Sequence, residues 1–169
     1  MEEFDAFLVG AAARIAPEYF LLPIHNADAR YRERVYCYEL YHQLRTQWPP
    51  KCPFFLNGEV DKAAHPYFGE DRRAPKPDFI IHVPGSGHNY AVVEVKSAIV
   101  DGEGIRGDIR KLARFRGLGY QRALYLLYGM GPDEALYRVA AAGVTVEQMM
   151  GVEIWVHPSA GLPAARAHD

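Results

Sequence analysis

The spacing of apolar residues changes along the chain, and each change marks a predicted element. Phe4, Leu8, Ala11, Ala12 and Ile15 recur at helical spacing and predict a first helix over 2–16, closed by Pro17. A longer helix is predicted from Asp28, a residue suited to an N-cap, to Trp48, where Pro49 and Pro50 stop it. The segment FFLNGEV (54–60) reads as a strand, and the polar, proline-bearing stretch 61–77 leads into DFIIHV (78–83), whose β-branched and aromatic residues mark another. Turn residues PGSGHN (84–89) separate it from YAVVEVK (90–96), so 78–96 predicts an antiparallel hairpin. After a glycine-rich loop, Ile105, Ile109, Leu112 and Phe115 set a helix over 105–115. A strand (123–129), a helix ended by Gly143 (133–143) and a last strand (152–158) follow. The final segment, SAGLPAARAHD (159–169), holds too little apolar surface to pack and is expected to be flexible.

Strands and helices mixed in this order predict an α/β domain over 1–158, with a mixed sheet of four or five strands, helices on both faces and the hairpin strands near the middle. At 169 residues, 49% hydrophobic and 24% charged, the chain suits one folded domain with a single core. The formal net charge of -2 provides no global field for polyanions, so any nucleic-acid contact must rest on a local basic surface. The first 24 residues begin acidic and mix charges into their apolar run, which argues against a signal peptide or a membrane span. With only Cys37 and Cys52 and no CxxC pair, a cytoplasmic protein with reduced thiols is expected. The seven histidines show neither HExxH nor paired Cys/His spacing, so zinc is not expected. The GxG within PGSGHN lacks the strand-to-helix context of a dinucleotide site, so no nucleotide cofactor is expected.

The hairpin carries the chemistry. Glu94 and Lys96 are two apart on one strand and share a face, while Val95 points into the opposite layer. Chain reversal brings Asp78, at the start of the first strand, alongside them. Two adjacent carboxylates repel unless a cation lies between them, and hard oxygen ligands suit Mg²⁺ or Mn²⁺. Such an ion polarises a phosphoryl oxygen and acidifies water, while a lysine orients that water or stabilises charge growing on the phosphate.

Pro77-Asp78 followed after a hairpin turn by Glu94-Val95-Lys96 resembles the motif of the PD-(D/E)xK nuclease superfamily, over about residues 28–129. The resemblance implies a restriction-endonuclease-like three-layer α/β/α fold and an endonuclease that hydrolyses DNA with Mg²⁺ or Mn²⁺, in bacterial defence or repair. It implies Asp78, Glu94 and the Val95 position as the metal site, Lys96 as the residue serving the water, and a homodimer by analogy alone. The superfamily often adds a helix glutamate. Helical geometry inclines towards Glu33, whereas the segment YELYHQLR is similar to nuclease-like proteins in which the later one, Glu39, is the fixed position, so both stay open. Glu59 is a third acid that could support the site. In GIRGDIRKLARFR, Arg106, Arg110, Lys111, Arg114 and Arg116 offer phosphate contacts, and Lys111 or Asp108 a supporting polar group.

Bland readings compete with each of these. The three hairpin charges could form cross-strand salt bridges, the helix glutamates a solvated face, and the basic run an exposed, salt-bridged helix. The function classes are accordingly a metal-dependent nuclease, an inactive nuclease-fold subunit that binds nucleic acid or mediates assembly, and a structural domain whose motif is accidental.

Overall fold

A computed structural model describes residues 3–60 and 75–167. Its centre is a six-stranded mixed sheet in the order β3 (Phe55–Gly58), β4 (Phe79–His82), β5 (Asn89–Ser97), β6 (Arg122–Tyr128), β7 (Val152–His157) and β8 (Ala165–Arg166). β3, β4 and β5 run antiparallel in sequence, β5, β6 and β7 are parallel, and β8 returns antiparallel to β7. The expected hairpin is therefore β4–β5, and β5 lies inside the sheet, where both faces of a strand must be covered.

Alternation along the central strands separates two packed layers. Phe79, Ile81, Val93, Val95, Leu124 and Leu126 pack with α1 (Phe4–Ala12) and α3 (Glu33–Gln47). Ile80, Val92, Tyr125, Leu127 and Ile154 pack with α4 (Gly102–Gly117) and α5 (Pro132–Ala141) on the other face. No helix among the described residues is long and apolar enough to cross a membrane.

Several boundaries differ from expectation for physical reasons. The first helix stops at Ala12, and Pro17 opens a separate short helix, α2 (Pro17–Phe20), instead of closing the first. The second helix begins at Glu33, not Asp28, because Asp28 lies in β2 (Ala27–Arg30), which pairs with β1 (Leu22–Ile24). The turn joining them, His25-Asn26, places Asn26 at φ 56°, a left-handed conformation that asparagine tolerates in tight hairpins. The base of this small hairpin is tied down by Tyr31, whose ring meets Phe20 and Tyr128 edge-on. α4 starts three residues early because the Asp101 side chain accepts from the Gly104 N–H at 2.8 Å, capping what reads as a glycine-rich loop.

The final segment, expected to be flexible, holds a short strand within its described residues. Ala164 is buried, Ala165 and Arg166 pair with Val156 and Trp155, and Arg166 bonds Asp5 at 2.9 Å and Glu153 at 3.2 Å. A short polar strand docks here because an existing sheet edge offers it backbone partners and charges, which its own apolar content does not reveal. β8 is also why the sheet has six strands and not four or five. The helix α6 (Val146–Met149), held by a capping box between Thr145 and Gln148, was likewise unexpected. Most of the polar stretch at 61–77 lies outside the described residues.

Candidate active site

Register puts the two carboxylates together. Phe79 pairs with Val93, so one step outward Asp78 faces Glu94 across the hairpin. An Asp78 carboxylate oxygen accepts from the Val95 N–H at 2.8 Å, and the Asp78 carbonyl accepts from the Glu59 N–H at 3.0 Å, which fixes the residue from both neighbouring strands. Glu94 is 1% exposed, and Val95 turns into the α1/α3 layer as alternation requires.

Two lysines and two further acids surround this pair. Lys96 reaches past the end of the sheet and donates to Glu33, the first residue of α3, at 2.7 Å. Lys111 on α4 donates to Glu94 at 2.6 Å. Between the lysines sits Asp108, also on α4 and buried, 3.4 Å from the Lys111 Nζ and 3.9 Å from the Lys96 Nζ. Tyr125 donates to Asp108 at 3.5 Å from the sheet. α4 can place Asp108 and Lys111 here because they stand one turn apart beside its buried stripe of Ile105, Ile109, Leu112 and Phe115.

Burial and mutual charge shift the protonation of this enclosure. Burial pushes the Asp78 carboxyl up to about 6, against the lowering effect of the Val95 N–H and Lys96. Burial, and then the nearby Asp78 charge, push Glu94 up to about 8, and Lys111 does not offset them. Burial works to lower Lys96, yet the hydrogen bond to Glu33 and the charges of Asp108, Glu33 and Asp78 hold it above its ordinary value. Burial also works to lower Lys111, yet Glu94 and Asp108 hold it above its ordinary value. The carboxyl governs the pair, because Glu94 is almost wholly buried while Lys111 is partly exposed and keeps some of its hydration.

The second Glu94 oxygen, Oε1, is buried with no hydrogen-bond partner. A buried, unpartnered carboxylate oxygen on a residue opposite a second acid would suit a hard divalent cation such as Mg²⁺ or Mn²⁺, which Asp78 and Glu94 would hold. Val95 could add only its main-chain carbonyl. Among the described residues no group of three His, Cys, Asp or Glu side chains has the arrangement of a metal site, so the remaining ligands would come from the backbone, water or substrate.

Compared with known proteins, the chain matches no protein-family model and no curated protein. Of the two helix glutamates, Glu33 is drawn to the lysine, whereas Glu39 accepts from Gln43 at 2.6 Å on its own helix. Glu59 pairs with Arg34 at 3.3 Å and takes φ 44°, a left-handed backbone unusual outside glycine. The basic run divides: Lys111 joins the site, Arg106 donates to the Ala142 carbonyl, Arg116 to the Tyr120 carbonyl, and Arg110 and Arg114 remain exposed.

Two features escaped the sequence reading. Arg30, Arg32 and Arg34 are exposed around the start of α3, beside Glu33, and their alternate spacing was the available signal. A cavity of about 390 Å³ opens on the α3 side of Asp78, lined by Tyr38, Tyr41, Asn57, Gly58 and Glu59 among others. A second cavity, of about 590 Å³ between α5, α6 and β7, includes none of these site residues.

Proposed function

We propose that the chain is a metal-dependent nuclease of the PD-(D/E)xK type, hydrolysing DNA phosphodiester bonds with Mg²⁺ or Mn²⁺. The observation that carries this reading is the convergence of Asp78, Glu94 and Lys96 at one end of the β4–β5 hairpin, with a buried Glu94 oxygen left unpartnered. Cross-strand salt bridges explain it less well: Lys96 pairs with helix acids and Lys111 comes from a helix, while Asp78 and Glu94 still face each other across the hairpin. A bound cation would supply Lewis-acid polarisation of a phosphoryl oxygen and neutralise the two carboxylates.

The chain's own groups have distinct tasks in this reading. Asp78 and Glu94 hold the cation, and Asp78 is oriented for it by the Val95 N–H. Lys96, kept charged by Glu33 and Asp108, is placed to stabilise negative charge developing on the phosphate and to orient the attacking water. Glu33 acts on Lys96 and is a positioning residue. Lys111 holds Glu94 in the absence of metal. Arg30, Arg32, Arg110 and Arg114 are exposed cations of the kind that neighbouring phosphates meet.

The test is cleavage of linear, supercoiled and branched DNA with Mg²⁺, Mn²⁺ or EDTA. We expect metal-dependent nicking that Asp78→Ala or Glu94→Ala abolishes. Glu33→Gln should lower turnover by roughly ten- to a hundred-fold, the range seen when an outer-shell partner is lost, with Glu39→Gln nearly silent. DNA binding without metal-dependent cleavage would make the protein an inactive nuclease-fold subunit. Neither binding nor cleavage would mean that the motif is structural.

A further inference from the structure

We propose that the cavity beside Asp78 receives one unstacked nucleobase of the strand being cut, so that the preferred substrate is single-stranded or locally opened. The inference rests on the nuclease reading and specifies its substrate class. Asp78 lines both the cavity and the candidate metal site, so an occupant would adjoin the phosphate held there.

The cavity walls select against the other parts of a nucleotide. Among the described residues its lining holds the acids Asp78 and Glu59 and no Lys or Arg, so a phosphate would find no cation in the wall. What remains favourable is a neutral, flat heterocycle. Tyr38 and Tyr41 stand one helical turn apart on α3 and line the same wall. Tyr41 is fixed by a near-parallel stack on Phe79, at 6.3 Å and 20°, and by donating to the Leu56 carbonyl at 3.3 Å. Tyr38 is 62% exposed, an aromatic face left in water beside the site.

Asn57 lines the cavity along its strand, and its side chain is held by His82 at 2.9 Å. At about 390 Å³ the space falls within the roughly 300–1,000 Å³ of small-ligand sites, enough for one base. A base in an intact duplex must first be unpaired and unstacked, at a cost of a few kcal/mol, which a single strand largely avoids. Gly58 forms the floor. A Cβ there would meet the Asp78 carbonyl oxygen at 3.5 Å and the Tyr41 and Phe79 rings at 3.8 Å, ordinary contact distances, and its φ is not left-handed. The backbone at 58 therefore accepts a Cβ, and a larger side chain there would extend into the cavity.

Fluorescence anisotropy in EDTA separates base capture from turnover. The probes are a labelled short oligothymidylate, an abasic oligodeoxyribose phosphate of equal length, and a blunt duplex. The wild type should bind the oligothymidylate about ten-fold more tightly than the abasic strand, as one base stack implies, and more tightly than the duplex. Tyr38→Ala and Gly58→Val should each erase that advantage and leave abasic binding unchanged. Equal affinity for thymidylate and abasic strands, or equal losses on both in the two variants, would overturn the inference. Mg²⁺-dependent cleavage of duplex DNA in the same preparation would then leave the nuclease reading standing. Neither binding nor cleavage of any of the three would sink that reading and the inference with it.

Discussion

At the scale of single residues, the most informative group is Glu94, because its protonation is tied to the metal question. Its folded pKa of about 8 exceeds the ordinary 4.5 through burial first and the Asp78 charge second, and Asp78 is shifted the same way, to about 6. Between these values the folded protein holds protons that the unfolded chain has released. The associated stability is fully present below the unfolded pKa values and is lost as pH rises through about 6 for Asp78 and about 8 for Glu94. His157 works in the opposite direction. It is buried, accepts or donates at 2.8 Å with the Tyr36 hydroxyl, and is lowered by burial to about 4, so its contribution is lost as pH falls below its ordinary 6.5. The difference between wild type and Glu94→Gln cancels that background. Without metal, Glu94→Gln should melt higher than wild type at pH 8 and above, with the gap closing towards pH 5. Mg²⁺ should raise only the wild-type melting temperature. A variant that melts lower than wild type at every pH would show that Glu94 serves a salt bridge and not a cation.

At the scale of elements, ion pairs tie the two peripheral segments to the sheet. Arg122 on β6 donates two hydrogen bonds to Glu153 on β7, at 2.7 and 2.6 Å, and meets Asp5 on α1 at 2.6 Å. Arg166 on β8 closes the network and stacks over Trp155 at 5.5 Å. Because Arg122 is only partly exposed, its removal leaves Glu153 and Asp5 with Arg166 as their remaining charge partner. Arg122→Ala should cost about 2 kcal/mol, between the values for surface and buried pairs, and lower the melting temperature by about 4–8 °C. An unchanged melting temperature would mean that Arg122 is not needed to hold α1 and β8. Element identity was legible where apolar period and length agreed, as in α3, β5, β6 and α4. It was not legible in β1, β2 and β8, which are short and mostly exposed and exist because of what they pair with.

At the scale of the whole molecule, a net charge of -2 leaves recognition of nucleic acid to local surfaces. Arg30 and Arg32 are exposed just ahead of Glu33, the residue that holds Lys96. Replacing both by alanine should weaken strand binding and flatten the salt dependence of log K by about 0.7 for each phosphate that is no longer neutralised. A slope that does not change would place the phosphate track elsewhere, with Arg110 and Arg114 next to be tested. The sequence by itself determined the hairpin and the shared face of Glu94 and Lys96, because strand periodicity and turn residues act over a few positions. The opposition of Asp78 and Glu94 followed from the same local rules once the register was set. Only the tertiary structure showed that Glu33 meets Lys96 while Glu39 bonds Gln43, since that depends on where α3 begins and how its end meets the sheet. The pairing of Lys111 with Glu94, the burial that raises both carboxyls and the cavity walled by Tyr38, Asn57 and Gly58 were likewise beyond local reading. Each joins residues from separate elements, and desolvation and long-range contact are properties of the packed layers that no local spacing encodes.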